Sequence, residues 1–177
     1  ASDELADLDL ECMAGLKQPG YFALRDFLEV LAEDDAYDLV VIDCPPYFSL
    51  SCVNAIMAAD RIIIPTDTDG FSTGGMGKLV RQIDNLRKAC PNVVISGCLV
   101  TRWKKSDVAE DAINYLREDG PVHIYRHVIR ASDDKVREST WAGQAVAQWS
   151  PWSNAARDYR AWVAELLTQE GISYEGV

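Results

Sequence analysis

The alternation of short apolar runs with longer helical patterns constrains the fold of this chain most. Four runs have the length and β-branched content of buried strands, at residues 38–43, 61–65, 93–100 and 122–129. Helical patterns occupy residues 22–32, 51–59, 72–88, 107–117 and 154–167, with Ser106 and Ser153 as N-caps of the last two. Alternating strands and helices predict βαβ crossovers, and hence a mainly parallel sheet with helices on both faces. We therefore expect a single α/β domain over residues 1–177.

Charge and hydropathy narrow the classes of function. The chain has 28 acidic and 17 basic side chains and a net charge of −11. This balance disfavours a dedicated, sequence-reading DNA-binding domain, although a local basic face is compatible with the neutral part after residue 60. No apolar run approaches the roughly 20 residues that span a bilayer, and the acidic start lacks the pattern of a signal peptide. We expect a cytoplasmic protein without a membrane partner.

The spacing of cysteine and histidine does not favour a metal site. The five cysteines include no C-x-x-C pair and are interpreted as reduced, buried thiols: Cys12, Cys44, Cys52, Cys90 and Cys98. His123 and His127 are four residues apart, but their segment is strand-like, so we interpret them as structural or surface histidines.

Polar and charged side chains follow the predicted strands, at the sheet edge where ligands of open α/β sheets bind. Asp43 follows the first strand, where a rigid carboxylate can hold a Mg²⁺-bound water; the alternative is that it caps the next turn. The third strand ends at Thr101-Arg102 and the fourth runs into Arg130. The adjacent Asp133-Asp134 pair favours a solvated loop over an acid/base pair.

One glycine-rich segment partly matches the sequence pattern of a phosphate-binding loop. Gly74-Gly75-Met76-Gly77-Lys78 resembles its end, but the pattern G-x-x-x-x-G-K-[ST] requires Gly at position 72 and Ser or Thr at position 79. The chain has Ser72 and Leu79 there. We therefore predict the start of a helix, and we find no other phosphate-binding loop in these residues.

The segment Tyr37-Asp38-Leu39-Val40-Val41-Ile42-Asp43-Cys44-Pro45-Pro46 resembles the Y-D-h-h-h-h-D-C-P-P strand of the ParA/Soj/MinD partition ATPases. Further segments are similar to the family in the same order: residues 54–65, 70–75, 98–101, 128–139 and 153–167. Six segments in the right order make the match specific. The resemblance implies a P-loop NTPase-like fold that lacks the family's N-terminal P-loop strand and helix.

The resemblance also implies roles for individual residues. Asp43 matches the catalytic aspartate that holds Mg²⁺ through a bound water. Thr101 and Arg102 match the strand end near the base of ATP, and Arg130 to Asp133 match the loop that closes over the adenine. Candidates for non-specific DNA binding are Arg102, Lys104, Lys105, Lys135 and Arg137. The alternative for these five is a solvated basic surface that balances acidic neighbours.

For function, the resemblance implies an ATPase of plasmid or chromosome partitioning, with ATP and Mg²⁺ as cofactors. ATP binding would drive homodimerisation and non-specific DNA binding on the nucleoid, and a ParB-like centromere-binding protein would stimulate hydrolysis. We expect these 177 residues alone to be inactive. One alternative is a non-catalytic module that pairs with a partner through its Trp-rich C-terminal part. Another, an electron-transfer or scaffold ATPase, is disfavoured because the cysteines lack paired spacing.

Overall fold

The computed structural model of the protein describes residues 20–33, 37–45, 47–67 and 73–173. The first elements in chain order are helices α1 (Ala23–Glu33) and α2 (Leu50–Ala58), strand β1 (Arg61–Asp67), helix α3 (Thr73–Arg87) and strand β2 (Val94–Thr101). Helices α4 (Asp107–Asp119), α5 (Asp133–Trp141), α6 (Val146–Trp149) and α7 (Asn154–Gln169) follow. The predictions made for Cys12, Pro46 and residues 70–72 concern positions outside the described residues.

The helices predicted from periodicity form close to their predicted bounds. Two of them begin at the predicted N-caps: Ser106 Oγ accepts a hydrogen bond from the amide of Ala109, and Ser153 Oγ accepts one from the amide of Ala156, both at 3.2 Å. The glycine-rich segment opens α3, as predicted, and Met76 is buried. These local signals suffice because a helix satisfies its own backbone hydrogen bonds.

The parallel sheet of the predicted α/β fold is present. Strands β1 and β2 are hydrogen-bonded neighbours. The amide of Val94 donates to the carbonyl of Asp60 at 3.0 Å, and further along both strands Thr101 Oγ1 donates to the carbonyl of Thr66. Partner numbers rise together along the two strands, which is the pattern of parallel pairing.

The predicted fourth strand pairs with β2 only at intervals. Two isolated parallel bridges join Cys98 to Ile124 and Trp103 to Arg130. Between them the amide of Ile129 donates to the carbonyl of Val100 at 2.8 Å. The approach is close at Gly97, where a Cβ would lie 3.0 Å from the ring of Tyr125. The segment at residues 122–131 therefore lies along β2 without forming a continuous strand.

Two sequence-based predictions are wrong in detail. Residues 38–43 form no strand, and Leu39, Val40 and Val41 are exposed, Val41 by 82%. A strand requires a neighbour to receive its backbone hydrogen bonds, and no described strand pairs with this segment. The Asp133-Asp134 pair also does not lie in a loop, because both residues are in the first turn of α5, where carboxylates are favoured by the helix dipole.

The chain divides into two compact units, which we describe separately. Among the described residues, one comprises those up to Ile62 together with Gln82–Val94, and the other comprises those of 63–81 together with those from Ile95 onward. The core of the second unit is built on Leu99, Tyr125 and Ile129. Side chains from β1 and α7 pack against it: Ile63, Tyr159, Trp162 and Leu166. In the first unit α2 buries Ala55, Ile56 and Met57.

Cysteine burial partly follows the prediction. Cys52, Cys90 and Cys98 are buried, whereas Cys44 is exposed. Burial raises the pKa of the Cys98 thiol to about 12. Burial, with the nearby Cys44, raises the pKa of the Cys52 thiol to about 11. Such thiols are inert at neutral pH.

Candidate functional site

The candidate site begins where β1 and β2 end, in the second unit. Thr66 and Asp67 are the last residues of β1, and Thr101 is the last residue of β2. Thr101 Oγ1 donates a hydrogen bond of 3.0 Å to the carbonyl oxygen of Thr66. Both strands therefore deliver polar groups to one edge, as the sequence analysis predicted for ligand binding in parallel sheets.

Arg102 leaves β2 in a strained backbone conformation. Its φ of 53° lies in the left-handed region, and it is the one non-glycine residue with positive φ among the described residues. This conformation costs an L-residue with a long side chain roughly 1–2 kcal/mol. Such outliers cluster at functional sites, where the surrounding structure holds them in place. The neighbouring Trp103 provides this support, because its amide donates to the carbonyl of Ile129 at 2.9 Å.

A pocket of about 190 Å³ opens beside Arg102. Its lining combines polar groups from the strand ends with apolar side chains from the first turns of α4: Asp67, Arg102, Lys104, Ser106, Val108, Ala109 and Ala112. Four of these seven lining residues are polar or charged, and three are apolar. Its volume is below the roughly 300–1,000 Å³ typical of small-molecule sites, so it is too small for a whole nucleotide.

The loop after residue 129 reaches the same edge. Arg102 Nε lies 3.9 Å from a carboxylate oxygen of Asp133, and both side chains are largely exposed. The amide of Ala131 donates to the carbonyl of Trp103 at 2.9 Å, which keeps the loop beside the end of β2. The structure therefore brings together Thr101, Arg102 and Asp133, three of the four predicted base-side residues.

Arg130, the fourth predicted base-side residue, is engaged by α7. Its Nε and a terminal nitrogen donate to the two carboxylate oxygens of Asp158 at 2.9 and 2.7 Å, and its amide donates to the same carboxylate at 3.0 Å. Burial alone would raise the pKa of Asp158, but hydrogen bonds from Arg130 and the positive charges of Arg130 and Arg157 outweigh this effect and lower it. The ion pair with Asp158 raises the pKa of Arg130. Arg130 is therefore fixed to the scaffold.

Asp43 belongs to the first unit. It is exposed, in the segment without regular secondary structure before α2, and its side chain is accessible to a hydrated cation. Among the residues that the structure describes, no three acidic, His or Cys side chains cluster closely enough to hold a metal ion. A lone carboxylate is nonetheless compatible with Mg²⁺, which usually keeps several waters and takes phosphate oxygens as ligands.

The predicted DNA-binding residues lie on exposed surfaces of the second unit. Lys105 is 3.7 Å from Glu110, and Lys135 is 2.8 Å from Glu138. Exposed ion pairs of this kind contribute at most about 1 kcal/mol, so these cations remain available to a phosphate. Arg137 and Lys135 line a second, open pocket of about 670 Å³, with Trp141 and Trp149.

Sequence reasoning missed Asp158 and Glu165, the two carboxylates of α7 that contact the loop. Glu165 accepts hydrogen bonds from the amides of Arg126 and His127, at 2.7 and 3.0 Å, and lies 2.6 Å from His127 Nδ1. The available signal is their spacing, since acidic residues seven apart lie on one helix face. Their partners are 28 to 39 residues away in sequence, so no local pattern reveals them.

Comparison with known proteins identifies the family. The AAA_31 family, described as an AAA domain, matches residues 1–95, which is more than half of the chain. The chain belongs to this family and is of the ParA/MinD type. Among its relatives, an uncharacterized protein of Mycobacterium tuberculosis is 33% identical over 140 residues, 78% of this AAA_31 chain and 44% of that protein. The chromosome partitioning protein ParA of Caulobacter vibrioides is 28% identical over 170 residues, 93% of the chain and 63% of ParA.

Solved structures share the fold of this AAA_31 chain. Cobyrinic acid a,c-diamide synthase from Mycobacterium smegmatis, with bound ADP and magnesium, has a TM-score of 0.75 at 21% identity and covers 97% of the chain. The ATP complex of Cyanothece McdA has a TM-score of 0.72 at 18% identity and covers 99% of the chain. The chain covers 61% and 66% of these two proteins, and it spans about half the length of the curated relatives it matches. At these identities the structural likeness establishes the fold alone.

No helix in the described part of the chain is both long and apolar enough to cross a membrane.

Proposed function

We propose that this chain is the C-terminal part of a ParA-like ATPase that partitions DNA, in which ATP binding and hydrolysis switch dimerisation and non-specific DNA binding. The observation that carries the proposal is the carboxyl edge of the sheet. There the strained Arg102, Thr101 and Asp133 converge beside a small pocket with mixed polar and apolar lining. The resemblance to ParA proteins supports the same function, because these relatives are named chromosome partitioning proteins.

In this proposal the role of each residue follows the resemblance to the ParA family. Asp43 holds a water of the Mg²⁺ shell, which its exposed position allows. Thr101, Arg102 and Asp133 contact the base side of ATP, and Arg130 contributes by fixing the loop that leads to Asp133 at the start of α5. When bound, Mg·ATP supplies the phosphoryl group that is transferred to water.

The proposed DNA contacts are electrostatic. Arg102, Lys105 and Lys135 would exchange weak surface ion pairs for phosphates when two ATP-bound copies dimerise. The exposed Lys104 and Arg137 would add further phosphate contacts. The partner that stimulates hydrolysis would be a ParB-like centromere-binding protein, and the working location would be the nucleoid in the cytoplasm. Affinity for DNA should therefore fall steeply as the salt concentration rises.

Activity in this proposal requires more polypeptide than these 177 residues. The described residues contain no phosphate-binding loop, and the backbone amides and lysine of such a loop supply most of the affinity for phosphate. The exposed apolar side chains at residues 39–41 are also typical of a strand segment that lacks neighbouring strands to pair with. We expect the 177-residue chain to bind Mg·ATP no more tightly than about 1 mM, or about −4 kcal/mol.

Isothermal titration calorimetry with Mg·ATP tests this proposal. The experiment compares the 177-residue chain with a polypeptide that also carries an upstream G-K-[ST] loop, and ADP without Mg²⁺ serves as the control ligand. Micromolar binding and hydrolysis should appear only in the longer polypeptide. Micromolar binding by the 177-residue chain, or no hydrolysis by the longer one, would contradict the proposal.

The exposed tryptophans favour a second candidate function, a non-catalytic module that pairs with a partner protein. Trp141 and Trp152 are exposed by 88% and 84%, and exposed tryptophans are enriched at protein interfaces. This candidate predicts that Trp141→Ala and Trp152→Ala weaken association with a partner while ATP has no effect on it. The ATPase proposal predicts ATP-dependent association that these changes leave intact.

A further inference from the structure

Helix α7 holds one segment of the second unit by two carboxylates. Asp158 and Glu165 are seven residues apart, about two helical turns, and lie on one face of the helix. Asp158 receives the amide and the guanidinium of Arg130 at 2.7 to 3.0 Å. Glu165 receives the amides of Arg126 and His127 and contacts the His127 ring. The segment from residue 126 to residue 130 is therefore held at both ends.

These contacts hold the backbone as well as side chains. Three of the donors are main-chain amides of a segment that has only isolated bridges to β2. The carboxylates are mostly buried, with exposed fractions of 13% for Asp158 and 19% for Glu165. Hydrogen bonds to a charged acceptor are stronger than neutral ones, and burial limits competition from water. The carboxylates thus replace the continuous ladder that this segment lacks.

A contact from α4 acts on the same segment. A terminal nitrogen of Arg117 donates to the carbonyls of Tyr125 and Arg126, at 3.2 and 3.0 Å. The amides of Arg126 and His127 point to α7, while the carbonyls beside them accept from α4. In the two peptide groups around Arg126, the carbonyls accept from Arg117 and the amides donate to Glu165. The segment is therefore fixed between α4 and α7.

The fixed segment leads directly to the candidate site. Three residues after Arg130, Asp133 lies 3.9 Å from Arg102 Nε. Between them, the amide of Ala131 donates to the carbonyl of Trp103, the residue after Arg102. A shift of residues 126–130 would therefore be transmitted over a few peptide units to the contact between Asp133 and Arg102.

We propose that Asp158 and Glu165 are positioning residues for the base side of the nucleotide site: they fix the register of residues 126–131 against β2 and so place Asp133 opposite Arg102. The inference rests on the proposed ATPase function. Neither carboxylate contacts the nucleotide in this arrangement. Their loss should weaken nucleotide binding and leave the phosphate chemistry unchanged, because Asp43 serves that chemistry from another part of the chain.

The test uses the intact polypeptide with its phosphate-binding loop and measures ATP hydrolysis in steady state. Asp158→Asn keeps an oxygen that can accept from the amide of Arg130 but removes the charge, whereas Asp158→Ala removes both. We expect the KM for ATP to rise about threefold in Asp158→Asn and Glu165→Gln and about tenfold in Asp158→Ala, with kcat within about twofold of the wild type. Asp84→Asn, which removes the charge from an exposed ion pair with Arg87 on α3, is the matched control and should change neither constant.

Amide hydrogen exchange provides a second measurement, which does not require ATP and does not depend on whether Asp158→Ala folds. The amides of Arg126, His127 and Arg130 should exchange at least about tenfold faster in Asp158→Asn and Glu165→Gln, while amides within β2 keep their protection. If Asp158→Ala does not fold, the milder Asp158→Asn and Glu165→Gln variants decide the test. A purely structural role predicts a lower active fraction, and hence a lower kcat with unchanged KM.

The outcomes separate the two proposals. A wild-type polypeptide without ATP turnover overturns the proposed function and this inference with it. A wild type that turns over ATP, with an unchanged KM in Asp158→Asn and Glu165→Gln, overturns the positioning role alone. A raised KM at constant kcat, together with faster exchange of the three amides, supports it.

Discussion

Thr101 Oγ1 donates a hydrogen bond of 3.0 Å to the carbonyl oxygen of Thr66, and so joins the ends of β1 and β2. The bond continues the parallel pairing of the two strands with a side-chain donor, at the residues that directly precede the candidate site. Beyond it the backbone of Arg102 enters the left-handed region. The position of the candidate site therefore depends on a contact between the strand ends, as well as on the side chains that line the pocket.

Replacement of Thr101 by valine tests the strength of this contact. Thr101→Val keeps the shape but removes the donor, and should lower the free energy of unfolding by about 1 kcal/mol. Thr101→Ser should restore most of the loss. Thr140→Val is the matched control, because Thr140 Oγ1 bonds the carbonyl of Val136 on an exposed face of α5, and its loss should cost less than about 0.5 kcal/mol. Chemical denaturation of the three variants measures the free energy of unfolding. Equal losses of this free energy in Thr101→Val and Thr140→Val would contradict a stabilising role of the Thr101 hydrogen bond.

The strain at Arg102 predicts an unusual preference for glycine. Glycine adopts positive φ without a steric cost, so Arg102→Gly should be more stable than Arg102→Ala by about 1 kcal/mol. The control pair is Lys104→Gly and Lys104→Ala, because Lys104 has no positive φ. There alanine should be the more stable variant by up to about 1 kcal/mol, since glycine loses more entropy on folding. Denaturation curves measure the difference in unfolding free energy between the glycine and alanine variants. The same sign of this difference at positions 102 and 104 would show that Arg102 is not strained.

The structure explains why the helices were predictable and one strand was not. The bounds of α3, Thr73–Arg87, differ from the prediction by one residue at each end, because amphipathic periodicity is a property of the segment itself. The run at residues 38–43 has an equally strong local signal, but a strand forms only when another strand supplies hydrogen bonds. Helix α5, Asp133–Trp141, was missed for the opposite reason: its apolar residues are too few to mark a face, and its stability depends on its surroundings.

The same distinction applies to the site. Strand ends mark the edge where ligands bind, so the order of elements predicted Thr101, Arg102 and the residues after Arg130 at that edge. Their assignment to the base side of ATP came from the family resemblance. The engagement of Arg130 by Asp158 was not predictable, because the two residues are 28 positions apart and lie on elements whose packing the sequence does not state. Sequence patterns therefore predicted which residues reach the edge, whereas the contacts that hold them required the structure.

The N-cap of α4 provides a prediction with a matched control within the chain. Ser106 Oγ accepts a hydrogen bond from the amide of Ala109, whereas Ser132, the residue before α5, makes no such bond with its side chain. Ser106→Ala should therefore lower the free energy of unfolding by about 1 kcal/mol, and Ser106→Asp should restore it. Ser132→Ala should cost less than about 0.5 kcal/mol. Thermal denaturation with equal shifts for the two alanine variants would show that the cap contributes nothing.

The ion pair of Asp158 predicts how stability depends on pH. Hydrogen bonds from Arg130 outweigh burial and hold the pKa of Asp158 below its ordinary value of about 3.9. A carboxyl group with a lowered folded-state pKa contributes stability above the unfolded-state pKa and loses it as the pH falls through the folded-state pKa. The difference in unfolding free energy between the wild type and Asp158→Asn should therefore be constant from about pH 7 to pH 5 and shrink below about pH 4.

Denaturation with urea at several pH values measures this dependence. Asp84→Asn is the control, because its carboxylate is about half exposed and pairs only weakly with Arg87. Its difference from the wild type should be small at every pH. A difference for Asp158→Asn that persists unchanged at pH 3 would show that the charge of Asp158 does not stabilise the fold.

Replacement of Asp43 separates its two interpretations. As a ligand of a Mg²⁺-bound water, Asp43 should be needed for turnover, so Asp43→Ala should lower ATP hydrolysis by the intact polypeptide at least ~100-fold. Because the residue is exposed, the unfolding free energy should change by less than about 0.5 kcal/mol. Asp26→Ala, which removes an exposed carboxylate from the first turn of α1, controls for the change in charge and should leave turnover unaffected. If Asp43 instead caps the turn that follows it, the pattern is reversed: the melting temperature falls while hydrolysis stays near normal, and Asp43 is then no longer a candidate for the metal site.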